Sequence, residues 1–179
     1  MKGILFLIAL LSTTYANAGL LLEPYVGYNV TAIERGTDGT AAKGLMVGGR
    51  VGYTFLSTLF IAFDYSTGEL SWEPEGGVDV ELEGTMTRMG ITAGADIPIA
   101  PLRAWAGYYK ADYIPSGSGY KYKAEDGSGY KLGLGITVLP VIDINLEYFS
   151  GEYDTLNDVS VTDLKEKGLM VSISAPFDL

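Results

Sequence analysis

The sequence Lys131-Leu132-Gly133-Leu134-Gly135-Ile136-Thr137-Val138 carries a large apolar side chain on every second residue, with lysine, glycine, glycine and threonine between. A period of two belongs to a β-strand, whose successive side chains point to opposite faces. A helix would bring apolar residues back at every third or fourth place instead. The same alternation sets Leu169, Val171, Ile173, Ala175 and Phe177 against Met170, Ser172, Ser174 and Pro176. It also sets Leu45, Val47, Val51, Tyr53 and Phe55 against Gly48, Arg50, Gly52 and Thr54.

Eight such runs can be traced, at about 20–32, 43–55, 58–73, 78–96, 102–113, 128–139, 142–154 and 166–178. Each is long enough for a tilted membrane-crossing strand of about 9–11 residues. The connections alternate too. Leu56-Ser57, Pro98 to Pro101 and Pro140-Val141 read as tight turns, whereas 33–42, 74–77, 114–127 and 155–165 are longer and polar. Short turns at one end and long loops at the other are the plan of an up-and-down transmembrane barrel. The fold class expected is therefore all-β, an eight-stranded antiparallel up-and-down transmembrane β-barrel.

The polar stripe separates this reading from a water-soluble barrel. A stripe facing water would be crowded with Lys and Glu. Here it is mainly Gly, Ser and Thr with about one charge per strand, which suits the narrow interior of eight strands. The apolar stripe then faces lipid, and mean hydropathy is high at +0.20. Five Gly-Tyr pairs, at 27–28, 52–53, 107–108, 119–120 and 129–130, place Gly inward and Tyr outward where they lie in strands. Tyr28, Tyr65, Tyr108, Tyr130 and Tyr148 fall near the long-loop ends, and Tyr53, Phe55 and Phe177 near the short turns. Two aromatic girdles at the membrane interfaces are expected.

Residues 1–18 read as a signal peptide for export. Lys2 is the basic start, Gly3 to Leu11 the short apolar stretch, and Ala16-Asn17-Ala18 the cleavage signal, so residues 19–179 form the barrel domain. Nine apolar residues are too few to cross about 30 Å of hydrocarbon as a helix. With Lys2 removed, 11 basic residues stand against 22 acidic ones, a charge of −11.

At this point the chain resembles the small eight-stranded outer-membrane barrels, the group of the OmpA transmembrane domain, OmpX and OmpW, over its whole mature length. The resemblance implies a Gram-negative outer-membrane location, contact with outer-membrane lipids and lipopolysaccharide, and delivery by the barrel-assembly machinery. Such barrels usually end in Phe. Here Leu179 takes that place on the lipid-facing stripe and Phe177 precedes it. A monomer with a mainly structural, surface-exposed role is expected. The alternatives are a narrow channel or transporter for small or apolar solutes, OmpW-like, or an OmpX-like adhesion or protective module working through its loops.

The 179 residues include no Cys and no His and carry a net charge of −10. Disulfides, thiol nucleophiles, Ser-His-Asp triads and His metal sites are excluded, and a basic nucleic-acid surface is not expected. The outer-membrane enzymes of similar shape use His, so neither catalytic residues nor a cofactor is expected. Asp143-x-Asn145-x-Glu147 lacks the glycine a calcium loop needs at its sixth position, where Tyr148 stands. Gly127-Ser128-Gly129 lacks the context of a phosphate loop, and Asn29-Val30-Thr31 lies inside a strand.

The inward charges are Glu23, Arg50, Asp64, Arg88, Asp96, Arg103, Lys131, Asp143 and Glu147. A turn about residue 57 sets Arg50 opposite Asp64, and a turn about Gly76 sets Asp64 opposite Arg88. A row Arg50–Asp64–Arg88 follows, with Asp96 meeting Arg103 and Lys131 diagonal to Glu147, together plugging the interior. On the longest hairpin, Glu69, Glu73, Asp79, Glu81 and Glu83 share the outward face. The same turn sets Glu69 against Glu83 and Glu73 against Asp79. Like charges directly opposite are destabilising, so this face is the candidate for a divalent cation shared with lipopolysaccharide.

Overall fold

The computed structural model describes residues 19–35, 38–74, 82–97, 100–115, 123–157 and 159–179. The alternating runs become strands β1 (Gly19–Arg35), β2 (Asp38–Phe55), β3 (Leu59–Pro74), β4 (Leu82–Ile97), β5 (Leu102–Pro115), β6 (Ala124–Leu139), β7 (Ile142–Leu156) and β8 (Val159–Ser174). Each pairs antiparallel with its neighbour in sequence, and β1 pairs with both β2 and β8, closing the eight into a barrel. Closure leaves no long strand edge unpaired, as a backbone surrounded by hydrocarbon requires.

Alternation sets the two faces as expected. Leu132, Leu134, Ile136, Leu169, Val171 and Ile173 are exposed on the outer surface, while Lys131, Gly133, Gly135, Met170, Ser172 and Ser174 are buried inside. Tyr28, Tyr65, Tyr108, Tyr130 and Tyr148 all point outward, and Tyr108 packs edge-to-face on Tyr130 across the β5–β6 ladder at 5.6 Å between centroids. Gly27, Gly52, Gly107 and Gly129 take the inward places beside their tyrosines.

The strands run further than the hydropathy pattern shows. The expected loops 33–42, 114–127 and 155–165 are partly β-ladder, since β1 and β2 stay paired up to Arg35 and Asp38, and β7 and β8 up to Leu156 and Val159. Beyond the membrane the outward face turns polar while Ile33, Ala42, Ala111, Tyr113, Ala124 and Leu164 stay buried inside, so the apolar-outward pattern ends while backbone pairing continues. The expected last strand 166–178 is interrupted. Strand β8 stops at Ser174, and a two-residue strand, β9 (Phe177–Asp178), resumes the pairing with β1. Pro176 has no N–H to give to the ladder. Residues 1–18, 78–81 and 119–120 lie outside the described residues, and with them the signal-peptide reading, the start expected for the fourth strand and one Gly-Tyr pair.

The tight turns meet the expectation in position. At Leu56 and Ser57 both residues take the left-handed conformation, with φ of 54° and 57°, and Thr58 N–H donates to the Phe55 carbonyl at 3.1 Å. That fixes Phe55 opposite Leu59 and Arg50 opposite Asp64.

Candidate functional site

The barrel interior concentrates the charges. Arg50, on β2, is fully buried, and its guanidinium reaches carboxylates from three other strands. Its Nη1 donates to Glu23 Oε1 on β1 at 2.9 Å, its Nε to Asp64 Oδ2 on β3 at 2.8 Å, and its Nη2 to Glu147 Oε1 on β7. The Tyr25 and Trp105 rings flank it, with centroids 5.2 and 4.5 Å from the guanidinium carbon. Trp105 Nε1 donates to Glu147 at 2.8 Å, and Tyr25 OH to Asp64 at 2.8 Å. Lys131 pairs with Asp64 and lies 3.6 Å from Glu147 Oε2. Buried charges tolerate this only with opposite charges and directed hydrogen bonds around them. The planar fork of arginine spreads its donors toward three separate carboxylates, where a lysine would offer one compact point charge.

Glycine makes this layer possible at one close approach. A Cβ on Gly133 would overlap the Trp105 indole, so the ring lies against bare backbone of the next strand.

Toward the short turns, Arg103 donates through Nε to Asp96 Oδ1 at 2.6 Å and through Nη1 to Glu23 Oε2 at 3.0 Å, with Asp143 Oδ2 at 4.0 Å. Glu23 thus joins Arg50 to Arg103. Asp143 is buried, whereas the Asp96 side chain stays 34% exposed at the rim.

Toward the long loops a second layer centres on Arg88. Its guanidinium pairs with Glu166 on β8 and also donates to Asn29 at 3.1 Å and Thr31 at 3.2 Å, over the Phe149 ring at 4.2 Å. Tyr109 and Tyr153 donate to the other Glu166 oxygen at 3.2 and 3.3 Å. Asn29 and Thr31 are therefore interior ligands of an arginine. A void of about 10 Å³ between the layers, bordered by Tyr25, Asp64, Arg88 and Lys131, is the size of a single water.

The row Arg50–Asp64–Arg88 is corrected. Asp64 pairs with Gly90, and Arg88 stands opposite Ser66. The β3–β4 register is displaced by two residues from the one that a turn about Gly76 gives. A two-residue displacement keeps every side chain on its face, so alternation cannot detect it. It carries Arg88 into the upper layer, to Glu166. The neighbouring expectations hold in place: Asp96 faces Arg103, and Lys131 is diagonal to Glu147, which faces Gly133.

The interior is also less uniformly small and polar than its glycines suggest. Tyr25, Met46, Phe60, Leu70, Met86, Trp105, Tyr109, Phe149, Tyr153 and Met170 are buried inside it. Apart from Met170, which the alternation already places inward, sequence reasoning missed these and Glu166. Parity with Gly168, Met170 and Ser172 on β8 marks Glu166 as inward, and the doublets Tyr108-Tyr109 and Tyr148-Phe149 each send one ring inside.

The acidic hairpin is corrected as well. Glu69 stands opposite Thr85, and Glu83 opposite Ser71, so neither meets a like charge across the described ladder. Glu69 and Glu83 are exposed; Asp79, Glu81 and the side chain of Glu73 lie outside the described residues. Among the described residues no group of three or more acidic side chains is placed to hold a metal ion.

A closed barrel with an apolar belt, an outward ring of tyrosines and a charged interior defines a transmembrane β-barrel of the bacterial outer-membrane class. Residues 3–177 match the family model of the outer membrane protein beta-barrel domain, and the chain belongs to that family, whose place is the bacterial outer membrane. No curated protein matches the sequence. Among solved structures, Neisserial surface protein A is similar at 15% identity, over 87% of this chain and 97% of that one, with a TM-score of 0.59. Ail, the attachment invasion locus protein of Yersinia pestis, is similar at 17% identity over 89% of this chain and 99% of that one. Its TM-score is 0.50, and 0.54 in its complex with the heparin analogue sucrose octasulfate. At these identities the likeness is one of fold.

Proposed function

We propose that this protein is a sealed, non-enzymatic outer-membrane barrel with a structural role, presenting its loops at the cell surface. The observation that carries the reading is Arg50. One guanidinium tied to β1, β3 and β7 bridges the lumen at mid-height. Trp105, Tyr25 and Lys131 fill the remaining cross-section, and the Arg88–Glu166 layer lies above it. A solute would have to break several buried ion pairs in passing, each resisting by a few kcal/mol. This favours a plugged interior over a channel for small or apolar solutes. The protein is secreted through removal of residues 1–18, is assembled by the machinery that folds such barrels, and stands in the membrane as a monomer.

The test is conductance of purified protein in planar lipid bilayers, with N-terminal sequencing of the mature chain. Closed bilayers and a first residue at Gly19 support the reading. Steady single-channel openings in the unaltered protein would sink it.

A second reading, surface attachment, is favoured by strands that continue well past the tyrosine ring, such as β7 and β8 up to Leu156 and Val159. The described outward face there carries Glu34, Glu69, Glu83, Glu152 and Asp154, with Lys165 between Glu34 and Glu152. A basic partner suits that surface better than a sulfated glycan. Retention of the purified protein on immobilised polylysine and heparin distinguishes the two chemistries.

A further inference from the structure

The buried charges of the lumen do not balance. Among the described residues Glu23, Asp64, Asp143, Glu147 and Glu166 are buried there against Arg50, Arg88, Arg103 and Lys131, five carboxylates to four cations. Arg50 hydrogen-bonds Glu23, Asp64 and Glu147, Lys131 hydrogen-bonds Asp64, and Arg88 hydrogen-bonds Glu166. Arg103 directs its donors to Glu23 and to Asp96 at the rim, and its Nη1 lies 4.0 Å from Asp143 Oδ2. Asp143, only 2% exposed, is thus the buried acid to which no cation donates, and its Oδ1 has no hydrogen-bond partner at all. The surplus of the buried set is one negative charge, and Asp143 carries it.

A second buried oxygen stands beside it without a partner. The strand period of two puts Asn145 on the same inward face of β7 as Asp143. Asn145 is 1% exposed, and its Oδ1 has no hydrogen-bond partner. Its amide nitrogen donates to Ser174 Oγ on β8 at 2.9 Å, which turns the oxygen the other way, over Gly135 on β6. A Cβ on Gly135 would come within 2.5 Å of that oxygen, so only glycine leaves it this place. In register, Asp143 stands between Thr137 on β6 and Ser174 on β8, which bring two hydroxyl groups to the same level. Thr137 follows the inward parity of Gly135 and is exposed, so the place is reached from the short-turn mouth.

We propose that the short-turn mouth of the barrel binds one monovalent metal cation, held by the Asp143 carboxylate and the Asn145 amide oxygen, with the Thr137 and Ser174 hydroxyls and water as further oxygen donors. Both unpartnered atoms are acceptors, and an uncompensated carboxylate in a confined interior is costly. Hard cations take carboxylate, amide-carbonyl and water oxygens together. A water molecule alone would satisfy the lone pairs and leave the charge. A divalent ion would turn the buried set positive, whereas a monovalent one brings it to zero. The site joins β6, β7 and β8 on the short-turn side of the Arg50 layer, and it asks for no passage through that layer.

The test uses the full mature protein in a non-ionic detergent with Na⁺ as the probe. Thermal unfolding is followed by circular dichroism, and binding by the broadening of the sodium NMR line. As sodium chloride replaces choline chloride at constant ionic strength, the unfolding temperature should rise by roughly 2–4 °C, and the protein should broaden the sodium line. D143N should lose both responses, yet unfold in choline no lower than the unaltered protein, because its buried charges already balance. G135A keeps the carboxylate but pushes the Asn145 oxygen aside, and it should broaden the sodium line less. E152Q, on the outer surface, should respond as the unaltered protein does. Equal unfolding temperatures in the two salts overturn the proposal, as does a sodium response retained by D143N. Should D143N fail to fold, G135A decides: broadening equal to that of the unaltered protein also overturns the site.

Discussion

Arg50 and Asp64 face each other across the β2–β3 ladder, and the arginine Nε donates to the carboxylate at 2.8 Å. Arg50→Ala leaves Glu23, Asp64 and Glu147 short of a buried cation. Loss of one partner of a buried pair costs about 3–5 kcal/mol. The temperature at which the folded gel band converts to the unfolded one should drop clearly below that of Lys165→Ala, a surface control. Arg50→Ala/Asp64→Asn should recover part of the loss, and equal conversion temperatures for Arg50→Ala and the control would refute the buried assignment.

The displaced β3–β4 register makes a separate forecast for Arg88. In double-mutant cycles read by urea unfolding in bilayers, Arg88→Met with Glu166→Gln should show coupling of about 1 kcal/mol or more. Arg88→Met with Asp64→Asn should be additive to within about 0.5 kcal/mol. The reverse outcome would restore the register with a turn about Gly76.

Leu134 and Val159 are equally exposed, at 63% each. Only their height differs. Leu134 lies two steps below the ring tyrosine Tyr130 on β6, whereas Val159 begins β8 at the long-loop end. Arginine near the bilayer midplane costs about 2–4 kcal/mol and almost nothing outside it. Leu134→Arg should fold poorly into vesicles while Val159→Arg folds normally. Equal yields would mean that the outer surface does not meet lipid at Leu134.

Gly133 offers a steric test. Gly133→Val should be destabilised by about 1–3 kcal/mol, the usual cost of overfilling a packed interior, because its Cβ meets the Trp105 indole. Combining it with Trp105→Ala should return some of that stability, measured by the same gel conversion. If Trp105→Ala only adds to the damage, the contact is not the cause.

Most of the architecture was legible because the chain alternates wherever one face meets lipid, and Leu132 to Val138 suffices to set inside and outside. The Arg50–Asp64 pair was legible because Leu56-Ser57 leaves a short turn little choice of register. Arg88 was misplaced for the opposite reason: its hairpin is long, and a displacement by two residues leaves the pattern of faces unchanged. Glu166 and the inward rings obey the same parity as their neighbours, but they were passed over because glycine and serine dominate the stripe. The placing of Lys167 beside Ala32 needed the closing ladder between the first and eighth strands, which no local pattern reports.

That closing ladder also dictates an order of events. Tyr25 pairs with Ser174 and Arg35 with Leu164, joining residues at opposite ends of the chain. Until the eighth strand is in hand, the first has one side unclaimed, a row of amide and carbonyl groups open to any extended segment nearby. Contacts so distant in sequence form late, because a large loop must close before they stabilise anything. The newly exported chain therefore passes through a stage in which seven strands are joined and the seam is open. Protection of that seam until Val159 to Ser174 arrives decides whether one molecule closes on itself or two join edge to edge.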